Sequence, residues 1–158
     1  MTMLHRSKAR NADGRRGQAL VEFSLALIPF VLILLGIFDL GRGIYMNNGV
    51  SEAAREIARV TAVHPCDAGG CALGNSPETL AVIATQKGLI PGLGSAASSV
   101  TFDCTTVADV VVPTSATNPC DSGNYVRVTV TVPFGVITPV LSMVAPSTLA
   151  STAHIQVP

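Results

Sequence analysis

Charged side chains make up only 13% of this 158-residue chain, and that scarcity limits what it can do. A soluble domain ordinarily carries about a quarter of its residues as charges. Histidine is scarcer still, with His5, His64 and His154 alone. A nucleophile triad needs an imidazole beside a serine, and none of the three has such a setting. His5 falls in a polar leader, His64 precedes Pro65 and reads as a charge at a helix C-terminus, and His154 alternates within a predicted strand as a surface residue. There is no glycine-rich phosphate loop and no H-E-x-x-H. No enzyme and no cofactor are predicted.

The cysteines do not form a metal pattern either. Cys66, Cys71, Cys104 and Cys120 include no Cys-x-x-Cys, and His64 is the one imidazole close to them, which disfavours zinc. The run Cys66-Asp67-Ala68-Gly69-Gly70-Cys71 reads as a disulfide-closed turn rather than a calcium loop. Two disulfides are the expectation on the oxidising side of a membrane, with three possible connectivities. The pairing Cys66 with Cys71 and Cys104 with Cys120 is favoured.

The formal net charge is zero, but it is divided unevenly. Residues 1–17 carry Arg6, Lys8, Arg10, Arg15 and Arg16 against Asp13, a net of +4; the rest carries five cations against nine carboxylates, a net of −4. A basic leader before an apolar run keeps its own end cytoplasmic and sends the remainder across. The acidic remainder has no basic stripe, so nucleic acid is not an expected partner.

The apolar run is Ala19 to Phe38. Its 20 residues span about 30 Å as a helix, the hydrocarbon thickness of a bilayer. Asp39, Leu40, Gly41 and Arg42 follow it, which is no secretory cleavage site. Helical periodicity continues, with Ile44, Val50, Ala53, Ala54, Ile57, Ala58 and Ala62 on an apolar side, until Pro65 forbids it. The spacing thus predicts one helix from about Gln18 to Val63. Pro29 removes a backbone donor inside the span, and Ser24 is the candidate partner for the freed carbonyl of Leu25.

Beyond Pro65 the composition shifts to short elements. Ser76 before Pro77 starts a helix that runs to Lys87 and stops at Gly88 and Pro91. Strands are predicted over Val100–Cys104, Val107–Val112, Tyr125–Val132 and Leu149–Val157. In Tyr125–Val132 the valines 126, 128, 130 and 132 face one way, and Tyr125, Arg127, Thr129 and Thr131 the other. The organisation follows: a basic leader over 1–17, a transmembrane helix over 18–40, a helix extension over 41–64, and an extracytoplasmic α+β domain over 65–158. Its sheet is expected to be antiparallel and to pack on the long helix.

Glu22 stands out, because a carboxylate inside an apolar span costs a few kcal/mol on insertion scales, less near the interface. It is either an interfacial acid about one and a half turns in, or a charge that needs a cationic partner when buried among other chains.

Together Arg15, Gly17, Val21-Glu22-Phe23, Leu25 and Pro29, then Tyr45 and Ala53-Ala54-Arg55-Glu56-Ile57-Ala58-Arg59, resemble the TadE-like pseudopilins and minor pilins of tight-adherence (Tad/Flp) pili, relatives of type IV pilins. Ile57 departs from the pattern, since many members have glycine there. The resemblance implies a pilin-like architecture, a cut after Gly17 by a prepilin peptidase, and Gln18 as the new N-terminus. It implies that Glu22 pairs with an α-amino group in the assembled fibre, and gives Phe23 and Pro29 assembly roles. Cyclisation of Gln18 to pyroglutamate would remove that amine and leave Glu22 leaning on Gln18 amide contacts or serving mainly in recognition by the peptidase. The implied partners are other pilin subunits, the peptidase and the assembly platform in the membrane, and the implied role is pilus assembly and adhesion. The implied location is the cytoplasmic membrane, N-terminus inside, and then the pilus. The alternative is an uncleaved single-span protein with an outer binding domain.

Overall fold

The computed structural model describes residues 11–65, 72–114, 120–138, 141–143 and 145–158, with backbone alone at 11–16 and 141. The architecture is α+β: a long N-terminal helix, a short second helix, and one antiparallel sheet packed on the far half of the long helix.

Helix α1 spans Asn11–Val63, 53 residues. It begins earlier than the expected start near Gln18, so residues 11–17 of the expected leader are helical. No proline intervenes there, and Asn11 and Asp13 are polar residues of the kind a helix start favours. The helix also continues through Pro29. Ser24 does not serve the Leu25 carbonyl; its hydroxyl donates to the carbonyl of Leu20 at 2.8 Å. A helical serine reaches back four residues, which puts Leu25 on the wrong side of it.

The buried stripe of α1 runs through Asp39, Met46, Val50, Ala53, Ala54, Ile57, Ala58, Thr61 and Ala62. Spacings of three and four keep these on one face. Ile44, expected on that face, is exposed, because it lies a full residue of rotation away from Gly43. The small side chains let the sheet approach closely.

Helix α2, Pro77–Leu89, runs back along α1. Ser76 caps it, its Oγ accepting the N–H of Thr79 at 3.2 Å. The Ser76 hydroxyl donates to Thr79 Oγ1 at 2.8 Å, which lies 3.2 Å from Thr61 Oγ1, whose own hydroxyl donates to the carbonyl of Ile57. All three side chains are fully buried, so this chain of hydroxyls fastens the start of α2 to the end of α1. The helix ends two residues later than expected; Gly88 lies within it, and Ile90 closes it by donating to Gln86.

The strands are β1 (Ser99–Thr105), β2 (Val111–Val112), β3 (Tyr125–Pro133) and β4 (Thr148–Gln156), ordered β2-β1-β3-β4 and antiparallel throughout. The four valines of β3 are fully buried against α1, and the alternate residues of β3 are half-buried on the outer face. There Arg127 bridges Asp103 at 2.9 Å and Asp109 at 3.2 Å, and the Asp103 carboxylate holds the guanidinium more firmly in its charged form. Strand β2 is shorter than the expected Val107–Val112. Thr106 to Val110 close a turn, with Asp109 at φ +58 donating to Thr106 and Thr106 donating to Val110, which takes 107–110 out of the ladder.

Cys104 and Cys120 are joined as expected, tying the end of β1 to the approach to β3. Cys66 and Cys71 lie outside the described residues, so the second expected pairing is not described.

Candidate functional site

Two regions of α1 carry the functional question. The first is its N-terminal, unburied part. The helix is long and apolar enough to cross a membrane, and none of its most apolar window is buried. Leu20, Val21, Phe23, Leu25 and Ile28 all present their side chains outward. That is the surface a lipid, or the helices of other chains, would cover.

The residues expected to take part in processing sit at the start of this surface. Gly17 is exposed, with open space where a Cβ would be. The Gln18 side-chain amide donates to Glu22 Oε1 at 3.1 Å, one turn on. Among the described residues Glu22 has no cationic partner, so its contact here is the neutral amide of Gln18. Phe23 is exposed beside it, and Pro29 lies two turns further along. The structure therefore brings Gln18 and Glu22 together and leaves Gly17, Phe23 and Pro29 spread along an open helix.

The second region is the point where the apolar run ends. Asp39 is almost wholly buried, 3% exposed, although it borders the span. Its carboxylate accepts the N–H of Ile137 at 2.9 and 3.0 Å and the N–H of Thr138 at 2.8 Å. Arg42, one turn on, approaches Asp39 at 4.0 Å, donates to the carbonyl of Gly135, and lies over the Phe134 ring, 5.2 Å from its centroid. Beneath that ring is Gly43, where a Cβ would come 3.4 Å from Phe134 Cζ. Asp39, Arg42 and Gly43 thus clamp the segment that follows β3 to the helix at the foot of the domain. Buried backbone N–H groups need acceptors, and a carboxylate supplies two oxygens for them.

Sequence reasoning missed this clamp. Asp39 reads locally as the polar stop of an apolar run, and its partners lie 98 and 99 residues away. The phase of the buried stripe was the available signal, since Asp39 and Gly43 continue it downward from Met46.

Among the described residues, no group of three or more His, Cys, Asp or Glu could hold a metal ion. At the end of α1 the His64 N–H donates to the Val60 carbonyl.

The TadE-like protein family model matches residues 17–59. The matched stretch opens at Gly17, takes in Glu22, Pro29 and Tyr45, and ends at Arg59, so the resemblance to TadE-like proteins holds over the helix that carries these residues. No curated protein and no solved structure matches the chain.

Proposed function

We propose that this chain is a minor pilin or pseudopilin of a tight-adherence pilus, held in the cytoplasmic membrane by α1 until it is incorporated. The observation that carries this reading is the TadE-like match over residues 17–59, lying on a helix whose apolar half has no cover among the described residues. A helix of this kind keeps its surroundings when it leaves lipid for a bundle of similar helices, so transfer costs little.

On this reading a prepilin peptidase cuts between Gly17 and Gln18. The helix is continuous across that bond, so cleavage requires its first turns to open. The leader's positive charge keeps residues 1–17 in the cytoplasm and sends the sheet domain outward. Processing creates an α-amino group on Gln18, and Glu22, which holds the Gln18 side chain before the cut, takes that amine or a neighbour's as its cation in the fibre. Other pilin subunits and the assembly platform in the membrane are the partners. Adhesion would belong to the domain beyond Pro65.

Replacing Glu22 with Ala tests the assembly role. Membrane insertion should persist, because the change removes a charge from an apolar helix. Pilus formation should fail. Normal piliation in that strain contradicts the charge-pairing role.

A further inference from the structure

The cut proposed between Gly17 and Gln18 leaves a chain whose first residue is glutamine, and an N-terminal glutamine carries its own electrophile. Its α-amine can attack its side-chain Cδ. A bond forms between the α-nitrogen and Cδ, the bond from Cδ to Nε2 breaks, and Nε2 leaves as ammonia with the proton that the α-nitrogen gives up. The product is an uncharged lactam, pyroglutamate. No other reactant is consumed, so the conformation of Gln18 and the protonation of its amine set the rate.

Glu22 governs both. The side-chain amide of Gln18 donates to Glu22 Oε1 at 3.1 Å. That acceptor belongs to the next turn of α1, about 5.4 Å toward the C-terminal end. The backbone N–H groups of a helix face the other way, toward its N-terminus. Gln18 is therefore held with Cδ drawn away from the nitrogen that would attack it, and ring closure requires the contact to break. Nothing else restrains the side chain: Gln18 and Glu22 are exposed, Gly17 has open space where a Cβ would be, and among the described residues neither side chain makes another hydrogen bond. The carboxylate acts on the amine as well. A negative charge one turn from the new N-terminus favours the protonated ammonium, which has no lone pair with which to attack. An ionised carboxylate is also acceptor-only, so it has no proton to give the departing ammonia.

We infer that Glu22 protects the processed chain from cyclisation at Gln18, keeping its first residue a free, cationic glutamine. This inference rests on the proposed cut after Gly17. It gives Glu22 a task that begins before a second chain arrives, because a lactam nitrogen carries no charge and offers a fibre no cation. Gln18 is the modification site, its own amide is the reacting group, and the contact to Glu22 is what holds the two ends of the side chain apart.

The chain is prepared with residues 1–17 replaced by a tag whose protease cuts directly before Gln18, so that the prepilin peptidase is not involved. Each protein is held in detergent micelles at neutral pH, and intact-mass spectrometry follows the loss of one ammonia with time. The parent is compared with Glu22→Ala, Glu22→Gln and Glu52→Ala, Glu52 being an exposed acid further along the same helix. Glu22→Ala should cyclise about tenfold faster than the parent, the factor that follows when a neighbouring carboxylate raises the pKa of an amine by about one. Glu22→Gln keeps an oxygen for the Gln18 amide but not the charge, and should be about twofold slower than Glu22→Ala, the value of a side-chain hydrogen bond at this spacing. Glu52→Ala should match the parent. Equal rates in the parent and Glu22→Ala, a slower Glu22→Ala, or a Glu52→Ala as fast as Glu22→Ala overturns the inference. Equal rates in Glu22→Gln and Glu22→Ala overturn the part assigned to the hydrogen bond. In protein purified from cells, a lactam at Gln18 overturns the inference and leaves the cut standing, whereas a retained leader overturns the cut and the inference with it.

Discussion

The carboxylate of Asp39 accepts the backbone N–H of Ile137 at 2.9 Å across 98 residues of sequence, and so joins the end of the apolar run to the foot of the sheet domain. Without it the domain would be held to the helix at this level by Arg42, which donates to the Gly135 carbonyl and covers Phe134, and by apolar contacts. With it, the angle between helix and hairpin is specified by directional bonds at the membrane-proximal end. On the proposed pilin reading, that position is where a domain handed from a membrane to a fibre needs to stay rigid.

Replacing Asp39 with Ala should be costly, because the buried N–H of Thr138 and the half-buried N–H of Ile137 lose their acceptor. Thermal unfolding of the detergent-solubilised domain should fall by roughly 5–10 °C. Asp39→Asn keeps one acceptor oxygen and should fall by less. Equal midpoints for Asp39→Ala and the parent chain would show that the clamp carries no stability.

Gly74 has φ +86, and a Cβ there would lie 2.5 Å from the Phe102 ring. Gly74→Ala therefore combines a backbone conformation disfavoured by on the order of 1–2 kcal/mol with displacement of a ring packed on the core. A drop in unfolding midpoint is expected, and a wild-type urea midpoint in this variant would contradict the packing described.

The Cys104–Cys120 bond closes a loop of separation 16 beside the buried end of β1. Replacing both cysteines with Ala should lower stability by about 3 kcal/mol, the loop-entropy value for a ring of this size. Denaturant unfolding of the double variant measures it. Reduction of the parent chain should lower the midpoint in the same direction.

The exposed Glu56–Arg59 pair, at 2.7 Å, gives a pH dependence of known sign. The hydrogen bond from Arg59 holds the Glu56 carboxyl below its usual range. Its contribution is therefore present at neutral pH and is lost as pH falls through that lowered value. Because the pair is open to solvent and salt, Glu56→Gln should change the unfolding midpoint at pH 7 far less than Asp39→Ala does.

Much of this fold was legible in the chain because local pattern and tertiary need agree. The alternation in Tyr125–Val132 is a period of two with valine on every inward position, and the structure buries each one. Ser76 before Pro77 is a cap whose hydroxyl has nowhere better to bond. Where the reading failed, a distant partner decided. Asp39 resembles a polar stop until Ile137 and Thr138 arrive. Val107 to Val110 have strand composition, but the Thr106–Val110 turn ends the pairing. Ile44 was assigned by its hydrophobicity, yet the helical phase that runs from Asp39 through Gly43 to Val50 leaves it outside. The expected cut between Gly17 and Gln18 rests on motif alone, because short sequence context rather than tertiary contact would set a protease site.

The identity of the N-terminal residue of the native protein tests the central claim most directly. Mass spectrometry of the protein from cells with an active prepilin peptidase should find a chain that begins at Gln18, as free glutamine or its cyclised form, with residues 1–17 removed. A mature chain that retains the leader through Arg15, Arg16 and Gly17 in such cells would contradict the pilin account and favour an uncleaved, single-span protein.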